Sequence, residues 1–257
     1  MTLKVASWNV NSLNVRLPHV LAWCETSRPD ILALQETKLP DERFPAADLQ
    51  EAGYHSLYSG QPTYNGVAIL SSKEGRDTLT DVPGLDDPQR RILAATYGEV
   101  RVINLYVVNG KEVGSDKFAY KLQWLERVTR FIASEMARHE RVIVLGDFNI
   151  APDDRDVHDP EAWREKILCS TPEREALGRI VDLGLVDTFR LFEQAEGSFS
   201  WWDYRAAAFR RGMGLRIDLV LASKALASRC TAAAIDVEPR RQERPSDHTP
   251  VIAEFDL

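Results

Sequence analysis

The sequence predicts an α/β fold in which two β-sheets pack face to face with helices on their outer sides. Apolar runs of strand length lie on both sides of one long amphipathic helix, which the spacing of apolar residues predicts over 118–138. Some of the predicted strands are joined by short turns, which is typical of antiparallel pairing. No linker, low-complexity run or change of composition divides the chain. We therefore expect one domain over residues 1–257.

The composition is that of a globular protein, because 44% of the 257 residues are hydrophobic. The formal net charge of -7 argues against a protein that simply coats itself with nucleic acid, so local clusters of basic residues matter more. Three scattered cysteines favour structural thiols in a reducing compartment over a zinc site or a disulfide framework. No stretch resembles a secretory signal or reaches the ~18 apolar residues of a membrane span, which predicts a cytoplasmic protein.

In the first half of the chain, apolar runs alternate with turn residues. Helical spacing of apolar residues follows the first strand, and Arg28-Pro-Asp ends that helix. Asn65-Gly66 marks a turn into a further strand, and Gly98-Glu99 marks the turn of a hairpin. The predicted elements are a strand over 3–8, a helix over 16–26, strands over 31–34 and 67–70, and a hairpin of 91–97 with 100–106.

The second half begins with the long helix and a buried strand within 141–152. Gly146 follows that strand and is expected to let the chain turn sharply. The polar segment 153–169 is too long for a routine connection, which indicates a functional segment or a lid. Ser170-Thr-Pro-Glu173 is a capping box that starts a helix to about residue 183. Strands over 230–237 and 251–255 close the chain.

Polar or phenolic side chains stand at or next to the ends of six predicted segments. For one such residue the plainer interpretation is a solvated side chain or a turn cap, and Asp147 with Asn149 could form an Asx-type turn. Several such ends in one chain favour a shared site instead. These residues are Asn9, Asn11, Glu36, Tyr106, Asp147, Asn149, Asp218, Asp247 and His248.

If these residues converge, four carboxylates share one pocket, and their repulsion raises some of the pKa values unless a cation is present. Oxygen ligands with a single histidine favour Mg²⁺, or Mn²⁺ as a substitute, over zinc. Such an ion would offset charge on a phosphoryl group while an aspartate or histidine handles the attacking water. Taken alone, His248 would more simply be a loop histidine with a structural hydrogen bond.

The stretch 199–216 is the part of the chain most typical of nucleic-acid binding. Aromatic residues alternate there with arginines, so the segment can stack on a base or sugar and pair with phosphates. The alternative is an aromatic cluster with a solvated basic rim. The arginines are Arg205, Arg210, Arg211 and Arg216.

Six motifs resemble those of the exonuclease III family of DNA-repair nucleases, in the family's order and from residue 3 to 255. The resemblance implies the four-layered α/β sandwich of the DNase I-like fold, with two mixed β-sheets face to face and helices outside. The motifs are Ser-Trp-Asn-Val-Asn, Leu-Gln-Glu-Thr-Lys, Asn-Gly-Val-Ala, Gly-Asp-Phe-Asn-Ile-Ala-Pro, Gly-Leu-Arg-Ile-Asp and Pro-Ser-Asp-His-Thr-Pro.

The resemblance also implies metal ligands. Glu36 would bind the Mg²⁺ ion, helped by Asn9, Asn11 and Asp247 nearby.

It further implies the catalytic roles. Asp147 would orient or deprotonate the attacking water, and Asn149 would hold a phosphate oxygen. His248, paired with Asp218, would contact the scissile phosphate, and Tyr106 would contact the phosphate or assist the leaving group. The choice between Asp147 and His248 as the base stays open.

On the DNA side, the resemblance places Trp201 and Trp202 in the wall of the pocket for an abasic sugar, and Asn109 in contact with DNA. The match weakens over 153–169, where a bulky Leu168 could narrow the sugar pocket and favour trimming of 3′ ends over incision at abasic sites.

The function implied is a Mg²⁺-dependent phosphodiesterase on double-stranded DNA, monomeric, with 3′-to-5′ exonuclease, 3′-phosphatase and AP endonuclease activities in open proportion. One rival is a phosphatase of the same superfamily acting on lipids or inositol phosphates, against which the Arg210-Arg211 pair argues. Another rival is an inactive DNA-binding relative, against which the presence of every chemical residue argues.

Overall fold

Two six-stranded sheets dominate the computed structural model, which describes residues 2–85 and 87–257. A two-stranded ribbon, β10 with β11, lies beside them. The strands are β1 (Thr2–Asn9), β2 (Ile31–Gln35), β3 (His55–Ser59), β4 (Val67–Ser71), β5 (Arg76–Leu79), β6 (Ile92–Tyr97), β7 (Val100–Tyr106), β8 (Arg141–Asp147), β9 (Leu185–Asp187), β10 (Trp201–Trp202), β11 (Gly214–Leu215), β12 (Asp218–Ser223), β13 (Cys230–Ile235) and β14 (Val251–Asp256).

The helices lie on the connections between strands. Five 3-10 turns accompany them within the described residues. The α-helices are α1 (Leu13–Ser27), α2 (Ala46–Glu51), α3 (Asp116–Met136), α4 (Pro160–Trp163), α5 (Thr171–Val181) and α6 (Lys224–Ala227).

Each large sheet is mixed and contains one parallel pair. The first sheet has the order β13-β14-β1-β2-β4-β3, in which β1 and β2 are parallel and joined by α1. The second has the order β5-β6-β7-β8-β12-β9, in which β7 and β8 are parallel and joined by α3. Parallel strands end at the same edge of a sheet, so each pair brings the residues after its two strands together.

Four layers result from how the apolar side chains pack. Val5, Ile69 and Val102 belong to the buried cluster between the two sheets. The outer face of the second sheet packs against α3 through residues such as Trp124, and the outer face of the first packs against α1 through residues such as Val20. The predicted four-layered α/β sandwich is confirmed.

The capping box predicted at the start of α5 is confirmed, because Ser170 and Glu173 make the reciprocal contacts. The segment 153–169, expected to be irregular, contains a 3-10 turn at Asp154–Asp156 and the single-turn helix α4. The short strands β3, β5 and β9 were not predicted. They lie at or next to sheet edges, and the partly exposed residues of β3 and β5 carry little apolar pattern.

All three cysteines are free thiols. Among the described residues, none of the helices has the length and apolar character needed to traverse a bilayer.

Candidate active site

The polar ends of the strands meet at one edge of the sandwich, where the two sheets face each other. In the second sheet, Asp147 at the end of β8 is paired on one side with Tyr106 and on the other with Asp218. From the first sheet, the side-chain amide of Asn9 donates hydrogen bonds of 2.9 Å to Glu36 Oε1 and 2.9 Å to Asp147 Oδ2. One amide therefore links carboxylates carried by different sheets.

Gly146 allows β8 to lie unusually close to β7. Its φ is 146°, and a Cβ atom at this position would stand 1.9 Å from the carbonyl oxygen of Leu105. The glycine thus allows two backbones to approach closely within the sheet. The prediction of a sharp turn at this residue is wrong. The left-handed turn comes later, at Asn149 with φ of 49°. As a result Asp147 stays in the strand and in register with its neighbours.

Asp218, His248 and Asp147 form the buried centre of the site. His248 Nδ1 lies 2.8 Å from Asp218 Oδ2, and Nε2 lies 3.8 Å from Asp147 Oδ2. Because an ionised carboxylate only accepts hydrogen bonds, Nδ1 carries the proton shared with Asp218. Ser200 Oγ also donates to Asp218 Oδ2 at 2.7 Å. The imidazole is therefore fixed between two carboxylates with Nε2 directed towards Asp147.

Burial and mutual charge shift the protonation of this centre. Burial, reinforced by the carboxylate of Asp218, raises the pKa of Asp147 to about 7, although His248 opposes the shift. Burial alone would lower the pKa of His248, but the carboxylates of Asp218 and Asp147 outweigh it and raise that pKa to about 10. The arrangement therefore favours a protonated imidazole beside an aspartate that exchanges a proton near neutral pH.

Asn149 is held against Asp147 by its own backbone and side chain. Its N–H donates to Asp147 Oδ1 at 2.9 Å, and its side-chain amide donates to Asp147 Oδ2 at 3.1 Å. Its Oδ1 accepts from Asn109 Nδ2 at 3.0 Å. The Asx-type turn considered for this motif is present, and it places the Asn149 amide at the centre of the site.

Glu36 carries the charge on the other side of the pocket. Its Oε1 accepts from Asn9 and from the Tyr106 hydroxyl at 2.9 Å each, and its Oε2 lies 2.8 Å from Lys38 Nζ. Burial alone would raise the pKa of Glu36, but the ammonium of Lys38 and the amide of Asn9 hold it below its usual range. Burial together with Glu36 raises the pKa of Tyr106 well above its usual value, so the phenol remains a donor.

The oxygen atoms around Lys38 fit a hard divalent cation. Glu36 Oε2 and Asn11 Oδ1 already share the positive charge of the Lys38 ammonium. Asp247 lies next to them, because its Oδ1 accepts from Asn11 Nδ2 at 2.9 Å. Carboxylate and amide oxygens are the ligands that Mg²⁺ and Mn²⁺ prefer. Three of the four predicted metal ligands are therefore together.

Asn9 is a hydrogen-bond donor at the centre of the site. Its Oδ1 accepts from the backbone N–H of Asn11 at 3.0 Å, and this contact fixes which end of the amide is oxygen. The nitrogen end therefore faces Glu36 and Asp147, as a donor to both carboxylates. Binding of the metal ion by Asn9 stays a prediction.

A second group of possible ligands is the triad itself, since Asp147, Asp218 and His248 each place one donor atom within 4.8 Å of the others. However, His248 Nδ1 and Asp218 are already hydrogen-bonded to each other. The oxygen set around Lys38 is thus the better candidate for a resident cation.

The aromatic residues predicted to form a DNA pocket occupy different environments. Trp201 is half-buried, and its Nε1 donates to Asp247 Oδ2 at 3.0 Å, so it borders the site. It packs against the buried cluster that contains Leu168. Trp202 is 4% exposed and meets Phe209 edge to face inside another cluster. Trp202 is therefore a core residue, and its assignment to the pocket wall is wrong.

Arg216 is also buried, in contrast to its predicted contact with DNA. It is 1% exposed and is paired with Asp156 at 2.6 Å and with Asp187 at 2.7 Å. Its guanidinium also lies over the ring of Phe189, 4.9 Å from the centroid. Two carboxylates accept from its Nε and Nη2 atoms, and the side chain is buried, so Arg216 supports the start of β12 and is not available to phosphates.

The other residues predicted to contact DNA lie at the surface. Arg210 and Arg211 are exposed, and Asn109 is exposed beside Asn149. Arg205 is exposed as well, and its guanidinium is paired with Asp203 at 2.6 Å. Their contact with DNA stays a prediction.

Sequence reasoning missed Lys38 and Ser200. Lys38 stands two residues after Glu36, and both residues adopt positive φ, so the loop turns the two side chains towards each other. A lysine so near a predicted metal ligand was the available signal. Ser200 gave no such signal, because its contact with Asp218 joins segments that are distant in sequence.

The chain matches the family described as "Endonuclease/Exonuclease/phosphatase family" over residues 6–248. Exodeoxyribonuclease III of Haemophilus influenzae is 37% identical, over 98% of this chain and 100% of the relative. An exodeoxyribonuclease of Bacillus subtilis is 34% identical, over 97% and 98%.

Solved structures of DNA-processing enzymes share the fold of this chain. A 3′ phosphatase from Neisseria bound to a product DNA hairpin has a TM-score of 0.98 at 52% identity, covering 99% of this chain and 100% of that one. An AP endonuclease from Archaeoglobus fulgidus has a TM-score of 0.95 at 39% identity, with the same coverage. The chain therefore belongs to the endonuclease/exonuclease/phosphatase family, and to its exonuclease III branch.

Proposed function

We propose that this protein is a metal-dependent DNA-repair phosphodiesterase that acts on double-stranded DNA at 3′ ends and at abasic sites. The observation that carries the proposal is the His248 imidazole held between Asp218 and Asp147, at the edge where Glu36 also lies. The relatives of the chain are exodeoxyribonucleases, a 3′ phosphatase and an AP endonuclease. The protein is thus a nuclease of the hydrolase class, and the proportion of its activities is the open variable.

The contacts around the triad support a division of roles. Three N–H groups, from Asn9 and Asn149, donate to Asp147 and stabilise the ionised form that accepts a proton from water. His248 lies between two carboxylates, which favour its protonated form, so its Nε2–H suits a contact with a phosphate oxygen. We therefore propose Asp147 as the base and His248, positioned by Asp218, as the donor to the scissile phosphate.

The remaining donors would bind the phosphate and the departing oxygen. The Asn149 amide is held beside Asp147, where it would hold a phosphate oxygen. The Tyr106 hydroxyl is a donor that now bonds to Glu36 at 2.9 Å and would turn to the phosphate or the leaving group.

Members of this family require a metal ion, and we propose Mg²⁺ for this protein, with Mn²⁺ as a substitute. Glu36, with Asn11 and Asp247, would hold the ion, which would supply positive charge beside the phosphate. The support is the all-oxygen donor set that already shares the charge of Lys38.

The neighbourhood of Leu168 supports action at 3′ ends in preference to abasic sites. Leu168 is 4% exposed and belongs to the cluster against which Trp201 packs. A bulky side chain behind this half-buried indole would leave little room beside Asp247 for an extruded sugar. We propose that 3′-end trimming, including removal of a 3′-phosphate, exceeds incision at internal abasic sites.

A time course on three end-labelled duplexes tests the function. The duplexes carry a 3′-phosphate, a plain recessed 3′ end and an internal abasic site, and each is incubated with Mg²⁺, with EDTA and with the Asp147→Asn variant. We expect turnover only with wild-type protein and metal, fastest on the 3′-phosphate. Absence of metal-dependent turnover on all three duplexes would overturn the proposal.

One further substrate and one binding measurement separate the rival interpretations. Faster hydrolysis of a soluble inositol phosphate than of any duplex would indicate a phosphatase of small esters. Retention of labelled DNA without cleavage, unaffected by EDTA, would indicate a binding protein.

We also propose that the chain forms one domain, acts as a monomer and works in the reducing cytoplasm. The apolar layer shared by the two sheets supports the first point, and the three free thiols support the last. Light scattering of purified protein tests the monomer, with a dimeric mass as the contrary result.

A further inference from the structure

A fully buried ion pair lies behind the active site and takes no part in the chemistry described above. Lys121 belongs to α3 and Glu173 to the first turn of α5, and both side chains are 0% exposed. The Lys121 ammonium and the Glu173 carboxylate are in direct contact. The pair therefore joins the two helices that cover the outer face of the second sheet.

The ammonium also reaches two backbone carbonyls at the site. Besides Glu173, Lys121 Nζ donates to the carbonyl oxygen of Asn149 at 2.7 Å and to that of Asn109 at 3.1 Å. A lysine ammonium has three protons, so these three partners use all of them. Lys121 thereby holds the two loops whose side-chain amides meet beside Asp147.

The carboxylate holds a third loop. Glu173 Oε1 accepts from the backbone N–H of Leu168 at 3.1 Å, and Oε2 accepts from the N–H of Ser170 at 3.2 Å and from its hydroxyl. The contacts with Ser170 are those of a helix capping box. A capping box alone accounts for neither the bond to Leu168 nor the one to Lys121.

The loops held by the pair contain residues in an unfavourable backbone conformation. Asn149 has φ of 49° and Leu168 has φ of 72°, in the left-handed region that non-glycine residues rarely adopt. Leu168, as a large aliphatic residue, has no side-chain hydrogen bond to favour that conformation. Directional bonds from Lys121 and Glu173 fix both residues, each of which presents its side chain to the site or to its wall.

Net stability does not explain such a pair. Removing two charges from water offsets much of their attraction, and apolar replacements of similar volume are often as stable. What an apolar pair lacks is hydrogen bonding to chosen carbonyl and N–H groups. The contribution of Lys121 and Glu173 is therefore to position the loops that contain Asn149, Asn109 and Leu168.

We propose that Lys121 and Glu173 are positioning residues that set the distance between the Leu168 wall and the Asn149 amide, and thereby the preference between a 3′-terminal phosphate and an internal abasic site. This inference rests on the proposed function. In the wild-type protein the wall is held near the catalytic amide, which suits a terminal phosphate and disfavours an extruded abasic sugar.

The double variant Lys121→Met/Glu173→Gln tests the proposal because it removes both charges at nearly constant volume. The matched control is Arg101→Met/Glu135→Gln. Arg101 and Glu135 form another buried pair, 2% and 3% exposed, which joins β7 to the far part of α3. Melting temperature, kcat and KM on the 3′-phosphate and abasic duplexes, and hydrogen exchange are measured for both variants.

We expect both variants to melt at lower temperature, but only the Lys121 and Glu173 variant to change the ratio of kcat/KM between the two duplexes, by about tenfold towards the abasic site. In the same variant, amide exchange should accelerate over 165–171 and stay unchanged at the Arg101 pair. If the double variant does not fold, Glu173→Asp keeps the charge and withdraws the carboxylate from Leu168, with a smaller shift in the same direction expected.

An unchanged substrate ratio in a folded variant would overturn the proposal, as would an equal shift in the control. The exchange measurement needs no substrate. If wild-type protein proved inactive on DNA, the proposed function would fail. Faster amide exchange at Leu168 in the variant than in wild type would still establish that the ion pair holds this loop.

Discussion

Asp218 and His248 are joined by a hydrogen bond of 2.8 Å that ties the start of β12 in one sheet to the segment before β14 in the other. The bond fixes the direction of the imidazole, and both partners are almost fully buried. The two residues should therefore act as a unit.

For this unit we predict non-additive effects. Asp218→Asn should lower kcat by ~100-fold with little change in KM, because the imidazole loses its charged acceptor. His248→Ala should lower kcat further, and the double variant should be no worse than His248→Ala alone. Asp187→Asn is the control, since Asp187 is paired with Arg216 just before β12, and the change should affect melting only. Additive losses would show that Asp218 acts independently of His248.

The variant Asp147→Asn should abolish cleavage while the protein remains folded. The amide keeps a bond to the Asn149 N–H but cannot take a proton from water, so kcat should fall by at least ~100-fold. The free energy gained by removing a buried charge should nearly cancel the cost of placing an amide N–H against the Asn9 and Asn149 donors. The melting temperature should therefore change little. Single-turnover assays and calorimetry measure the two effects. Residual activity above a few per cent of wild type would remove Asp147 from the mechanism.

Lys38 should compete with the metal ion for the same oxygen atoms. Lys38→Met removes the ammonium shared by Glu36 and Asn11, so Mg²⁺ should bind ~5-fold more tightly, corresponding to about 1 kcal/mol for a partly exposed pair. Titration calorimetry without DNA measures this affinity. Lys4→Met is the control, because Lys4 pairs with Glu254 away from the site. Weaker Mg²⁺ binding by Lys38→Met would contradict the prediction.

Truncation of the pocket wall should change the choice of substrate. In Leu168→Gly the backbone keeps its positive φ without strain while the side chain disappears, so incision at an abasic site should rise ~10-fold relative to removal of a 3′-phosphate. Leu168→Met conserves volume and should keep the wild-type ratio. If Leu168→Gly changed neither rate, the wall would not govern selection.

Binding to DNA should depend on the exposed arginines and not on Arg216. Arg211→Ala should weaken binding and reduce the slope of log affinity against log salt by about 1 if one phosphate contact is lost. Arg138→Ala, at an exposed position just after α3, should leave the slope unchanged. Fluorescence anisotropy at several salt concentrations measures both. An unchanged slope for Arg211→Ala would exclude that contact.

Much of the site was predictable because its polar residues stand at the ends of buried strands, which meet at one edge of the sandwich. Asn9, Glu36 and Asp147 directly end or follow buried strands, and the register of two parallel pairs brings them together. Their convergence follows from strand topology, which apolar patterning and motif order both indicate.

The errors have a common physical cause. Trp202 and Arg216 carry side chains typical of a DNA surface. Their burial depends on contacts that the local sequence does not show, namely the pairing of β10 with β11 for Trp202 and the distant carboxylates of Asp156 and Asp187 for Arg216. Similarly, nothing in the composition near Lys121 distinguishes it from a solvated helix residue. Its partners come from two loops, at Asn109 and Asn149, and from helix α5, at Glu173.

The contact between Trp8 and His248 has a consequence for the order of folding. The Trp8 indole donates to the His248 carbonyl across 240 residues of chain, beside the pairing of β1 with β14. Such distant contacts are expected to form late, because the entropy cost of closing a long loop comes before the contacts can stabilise the chain. A partly folded intermediate with an intact second sheet would therefore hold Asp147 and Asp218 but lack the imidazole. Hydrolysis of DNA would then begin only when β1 and β14 pair. The appearance of activity would therefore report complete folding.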